Sequence, residues 1–145
     1  MKECHIYIET SLRWPKKGSG IVGLVFTDQA EKNTRQLFGQ VNDSNEYHSI
    51  LVGIMNALNY CSSFDLIKIH LSCRNVASGF NWLPSWKQND FKNSKGEPVK
   101  YAADWQAIAA ASEKKRIEID LGFNGYRNWL KSECDSRGRK HGYIL

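Results

Sequence analysis

At roughly 100–200 residues per domain, a chain of 145 residues is expected to form one domain spanning 1–145. With 41% hydrophobic and 24% charged residues, and only 3 Pro beside 11 Gly, the composition excludes a disordered tail or a fibrous repeat. Lys and Arg outnumber Asp and Glu by 20 to 15, and the resulting charge of +5 suits a polyanionic partner without specifying one. No stretch approaches the roughly 18 apolar residues of a membrane span, and the opening MKECHIYIETS has no apolar signal core. A soluble, cytoplasmic protein without a membrane partner is the expectation. Cys4, Cys61, Cys73 and Cys134 stand singly, with none of the paired spacings of a zinc site, and read as idle thiols in a reducing compartment.

Cys4 to Glu9 alternates apolar and polar residues, and Ile21 to Phe26 is an almost unbroken β-branched and aromatic run; both predict strands. Between them Pro15 to Gly20 reads as a turn cluster, and after a polar connection from Asp28 to Thr34 a third strand is expected from Gln36 to Val41. The period then changes. Tyr47, Ile50, Leu51, Ile54, Met55 and Leu58 recur at intervals of three and four, predicting an amphipathic helix capped by Asp43 or Ser44. Leu66 to Leu71 reads as a strand, Arg74 to Trp82 and Tyr101 to Lys115 as helices, Ile117 to Leu121 as the last strand and Tyr126 to Arg139 as a closing helix. The order β-β-β-α-β-α-α-β-α describes an α/β protein with a mixed five-stranded sheet flanked by helices.

That order, and three stretches in particular, resemble type 1 ribonuclease H of the ribonuclease H-like superfamily. Ile6-Tyr7-Ile8-Glu9-Thr10-Ser11 is similar to the family's first-strand motif Ile-Tyr-Thr-Asp-Gly-Ser. Asn45-Glu46-Tyr47 through Ala57-Leu58 is similar to its Ala-Glu-Tyr helix. Trp82-Leu83-Pro84-Ser85-Trp86-Lys87, Phe91-Lys92, Gly96 to Lys100 and Trp105 resemble its Trp-rich, basic substrate-binding region. The resemblance implies a ribonuclease H-like fold and an endonuclease that cuts the RNA strand of RNA/DNA hybrids. Four carboxylates would hold two divalent cations, Mg2+ or Mn2+, whose mutual repulsion at about 3.5–4 Å the carboxylates offset.

Carried over position by position, the resemblance implies Glu9, Glu46 and Asp135 as the catalytic and metal-binding residues. Glu46 is placed by its neighbours. Glu9 stands where the family has Asp, and its extra methylene displaces the carboxylate beyond the roughly 0.5 Å tolerance of a preorganised site. Ser72 stands where the second metal-binding Asp is expected, so one ligand is missing unless Glu133 or Asp104 is recruited. The family's His-bearing loop is replaced by Gly122-Phe123-Asn124-Gly125, leaving His141 as the nearest substitute, and Val41 and Tyr101 take the places of a phosphate-contacting Thr and a substrate-contacting Asn.

The same alignment implies nucleic-acid contacts at Ser11, Asn42, Asp43, Arg74, Trp82, Trp86, Lys87 and Lys92, with Trp86 and Lys87 on the surface and Trp105 in the core. Each signal also has a plainer reading. Glu9 and Glu46 suit a strand end and a helix N-terminus, Asp135 a solvated helix, and the tryptophans a core. Ser72 and Cys73 have no visible His-Asp partner for nucleophilic chemistry. Three functions follow. The first is a binder of RNA/DNA hybrid or other double-stranded nucleic acid with impaired or lost nuclease activity, needing no cofactor. The second is an active nuclease using Mg2+ or Mn2+, and the third an inert scaffold within a protein complex.

Overall fold

The computed structural model describes residues 2–28, 34–122 and 125–140, the side chains of 139 and 140 excepted. Nine elements follow one another among them: β1 (Glu3–Thr10), β2 (Lys17–Asp28), β3 (Thr34–Asn45), α1 (Glu46–Tyr60), β4 (Leu66–His70), α2 (Arg74–Gln88), α3 (Ala102–Ala111), β5 (Arg116–Asp120) and α4 (Arg127–Lys140). Their types and order are those expected from the sequence. The sheet runs β3-β2-β1-β4-β5, with β1 antiparallel to β2 and β2 to β3, and with β4 parallel to both β1 and β5. A meander thus supplies one half and two crossovers the other, as helical connections between parallel strands require.

Strand alternation divides β1 between the two faces. Ile6 and Ile8 point into the main core with Leu51, Ile54, Leu58 and Trp105, whereas Tyr7 joins Val25 and Leu130 in a smaller cluster beneath α4. Two glycines allow close approach. A Cβ on Gly53 would lie 2.6 Å from Ile8 Cδ1, and one on Gly79 would lie 2.2 Å from Trp105 Cζ2. Trp105 is fully buried and donates its indole N–H to Tyr47 Oη at 2.9 Å, joining α3 to α1.

Several boundaries differ from the sequence expectation. Asn45, rather than Asp43 or Ser44, caps α1: its Oδ1 accepts the His48 N–H at 2.8 Å, because β3 runs on through both earlier residues. Lys17 to Gly20, read as part of a turn cluster, already pairs with β3 as β2 begins. Helix α2 continues past Trp82 to Gln88 with Pro84 inside it on an exposed face. Most of the polar connection after Asp28 and the replaced loop at Phe123 and Asn124 lie outside the described residues, as does His141. All four cysteines are buried and free, and no described helix is long and apolar enough to cross a membrane.

Candidate active site and nucleic-acid face

The ends of β1 and β4 meet the start of α1, as parallel pairing of β1 with β4 demands, and this brings Glu9, Ser72 and Glu46 to one cavity of about 210 Å³. Glu9 is only 3% exposed. Ser72 Oγ lies 3.1 Å from both Glu9 carboxylate oxygens and donates to them. Glu46 opens α1, where the helix dipole favours a carboxylate, and its Oε2 accepts the Trp14 backbone N–H at 2.8 Å.

Three cations share this environment, and none of them was singled out in the sequence. Arg13, Arg127 and Lys131 all line the cavity with Glu9 and Glu46. Arg13 Nη1 lies 3.2 Å from each Asp135 oxygen, and Arg127 Nε lies 4.0 Å from Glu9 Oε2. Part of the pattern was visible beforehand: Arg127, Lys131 and Asp135 follow at four-residue steps and so share one face of α4. Arg13 reaches Asp135 across 122 positions of sequence, which no local pattern reveals.

The cavity lining carries two carboxylates, Glu9 and Glu46, beside three cations, and Asp135, outside the lining, is reached through its pair with Arg13. Burial nevertheless raises the Glu9 carboxyl above its ordinary range, and Lys131, Ser72, Arg127 and Arg13 only partly offset that desolvation. The nearby guanidinium groups repel a hard cation. Neither suggested replacement carboxylate stands beside Ser72. Glu133 is 3.5 Å from Arg137 on its own helix, and Asp104 is 3.8 Å from His48. Among the described residues no group of three or more His, Cys, Asp and Glu is arranged to hold a metal ion. The donor set present thus does not fit a two-metal centre. Cys73 is buried and its thiol is raised, first by that burial, which suits a core position at the start of α2.

The expected nucleic-acid contacts divide into two groups. Arg74, Trp82, Lys87 and Lys92 are exposed, and Trp82 and Lys92 line one broad depression of about 770 Å³ with Trp86. Lys87 faces a different cleft, towards Ile117 and Ile119. Trp86 is half-buried rather than on the surface, because it packs edge-on against Trp105 at 5.4 Å. Ser11 is buried, and its Oγ accepts the Ile21 N–H at 2.9 Å, so that oxygen joins the β1 end to β2. Asn42 Oδ1 accepts from Ser19 Oγ and Gln40 Nε2, and exposed Asp43 has φ +48°, a left-handed conformation that Asp tolerates.

A second, larger cleft of about 440 Å³ adjoins the first at Glu46. Trp14, Trp86 and Tyr47 contribute its aromatic walls, and Lys16, Lys17 and Lys100 its charge. Tyr101, in the place of a family Asn, stacks on Tyr47 and receives a hydrogen bond from Asn45 Nδ2 at 2.8 Å behind this cleft.

No family model matches the chain. It is similar to a ribonuclease H of Janthinobacterium sp. (strain Marseille), 26% identical over 129 residues, which cover 87% of this chain and 88% of that protein. A ribonuclease H of Thiobacillus denitrificans is 29% identical over 80 residues, covering 54% of this chain and 53% of that one. That match, like others to curated relatives, spans about half of the relative's length. Among solved structures, the foamy viral protease-reverse transcriptase in complex with dsDNA superposes with a TM-score of 0.72 at 18% identity, covering 99% of this chain and 95% of that one. The same viral protein in complex with RNA/DNA hybrid gives a TM-score of 0.69 at 19% identity, over 99% of this chain and 20% of the other. The chain has the ribonuclease H-like fold and is similar in sequence to curated ribonucleases H. In this chain Ser72 lines one cavity with Glu9 and Glu46, and Arg13, Arg127 and Lys131 line it with them.

Proposed function

We propose that this protein binds RNA/DNA hybrid or other double-stranded nucleic acid through a ribonuclease H-like fold whose nuclease chemistry is impaired or lost. The observation that carries this reading is that Glu9, Glu46 and Asp135 each already have a protein partner: Ser72 and Arg127, the Trp14 N–H, and Arg13 respectively. A site that meets its carboxylates with its own cations has little left to offer Mg2+ or Mn2+. Binding draws support from the net charge of +5, from exposed Trp82, Arg74, Lys87 and Lys92, and from the foamy viral relative's complex with hybrid. Four free thiols fit a reducing cytoplasm.

The alternative is an active nuclease, and it is favoured by one fact: Glu9 and Glu46 share a single cavity. A labelled RNA/DNA hybrid incubated with the protein and Mg2+ or Mn2+, beside a Glu46→Gln variant, separates the two. The proposal expects a retarded but uncut hybrid whose retention falls with salt. Cutting that disappears in Glu46→Gln would establish the enzyme. Absence of any complex at low salt would leave only the scaffold role in a protein assembly.

A further inference from the structure

We infer that the cleft between Trp14 and Trp86 is a stacking site for an unpaired nucleotide, so that the protein engages nucleic acid at a single-stranded end or junction. The inference deepens the nucleic-acid reading and rests on it. Its foundation is a set of side chains that duplex binding through Trp82 and Lys92 leaves unused.

Trp14 is 83% exposed, the highest among the exposed large hydrophobic residues. Such exposure wastes apolar area unless something covers it. Its position is nevertheless fixed, because its backbone N–H is held by Glu46 Oε2 at 2.8 Å and Pro15 follows it. A second part of the lining is equally firm: Trp86 is braced against Trp105, which is fully buried. A backbone-anchored Trp14 and a braced Trp86 lining one cleft of about 440 Å³ suit a flat aromatic guest, and that volume lies within the roughly 300–1,000 Å³ of small-ligand clefts.

Charge specifies the guest further. Lys16, Lys17 and Lys100 line the same cleft, are exposed, and enter no ion pair among the described residues. In the neighbouring cavity both arginines have a carboxylate, whereas these three lysines offer unpaired ammonium groups to a phosphate. Within the nucleic-acid reading, an aromatic guest carrying phosphate is a nucleotide. It must be unpaired and unstacked on at least one face, because bases inside a duplex already cover both faces with their neighbours. Tyr101 adds aromatic surface behind the cleft, stacked on Tyr47 and with Lys100 Nζ 5.4 Å from its ring centre.

The test compares fluorescently labelled hybrid duplexes that are blunt or carry a short single-stranded extension, by anisotropy at low salt, with wild type, Trp14→Ala and Trp14→Phe. The backbone N–H by which Trp14 is held to Glu46 is kept in both variants, and a melting curve will verify the fold. The extension is expected to tighten wild-type binding by roughly 5- to 150-fold. Trp14→Ala should erase the gain while blunt-duplex affinity stays the same, and Trp14→Phe should retain most of it. No gain from the extension, or a gain that survives Trp14→Ala, overturns the inference while leaving duplex binding intact. Failure of the blunt duplex to bind, with Trp14-dependent capture of the extended one, would instead reject the duplex reading and support the cleft.

Discussion

Two hollows meet at Glu46, and they use positive charge in opposite ways. In the smaller one Arg13 is bonded to Asp135 and Arg127 lies 4.0 Å from Glu9, so the guanidinium groups face carboxylates of the same chain. In the larger one Lys16, Lys17 and Lys100 line the cleft with indole and phenol rings and with Glu46, and among the described residues none of the three enters an ion pair. The physical difference is where the counter-charge comes from. A hollow that supplies its own is electrostatically complete, whereas one that leaves ammonium groups beside exposed aromatic faces is complete only when a polyanion arrives. Chemistry at a metal centre depends on the first hollow having unspent acceptors, and binding depends on the second having unspent donors.

The largest expected effect breaks the comparison from the larger side. Trp105 supports Trp86 and Tyr47 from beneath but does not line the carboxylate cavity. Trp105→Ala should cost about 3–5 kcal/mol of stability, as truncation of a buried Trp does. Chemical denaturation measures the loss, and a cost below about 1 kcal/mol would mean that Trp105 does not hold the cleft together.

A smaller effect sharpens the carboxylate side. Burial raises the Glu9 carboxyl above its ordinary 4.5, so the folded protein holds that proton more tightly than the unfolded chain does. The corresponding stability is complete below pH 4.5 and is lost as pH rises through the folded value. Glu9→Gln, which fixes the uncharged form, should therefore melt higher than wild type at pH 7, with the difference closing as pH falls below 4.5. A lower melting temperature for Glu9→Gln at pH 7 would show that the surrounding cations hold Glu9 charged.

Legibility in the sequence follows range. The element order was readable because each period, two for Cys4 to Glu9 or three and four for Tyr47 to Leu58, is set by residues close in the chain. Glu46 was placed by neighbours for the same reason. The cap at Asn45 was missed because β3 extends beyond its apolar run through pairing with Lys17 and Gly18, a tertiary effect. Trp86 was assigned to the surface because its partner Trp105 arrives from another helix. The decisive feature of the smaller hollow, Arg13 on Asp135, joins opposite ends of the chain and has no local signature. On α4 the four-residue steps from Arg127 through Lys131 to Asp135 offered a signal, since they place cations on the same face as the expected ligand.

On the proposed reading, Arg13, Arg127 and Lys131 occupy the electrostatic role that divalent cations would otherwise fill. Calorimetric titration of Mn2+ into wild type, beside a variant in which all three cations are replaced by Ala, tests it most directly. Weak, unsaturable heats for wild type and tighter binding by at least about tenfold in the variant, a difference of about 1.4 kcal/mol, are predicted. Stoichiometric, tight Mn2+ binding by the wild-type protein would contradict it.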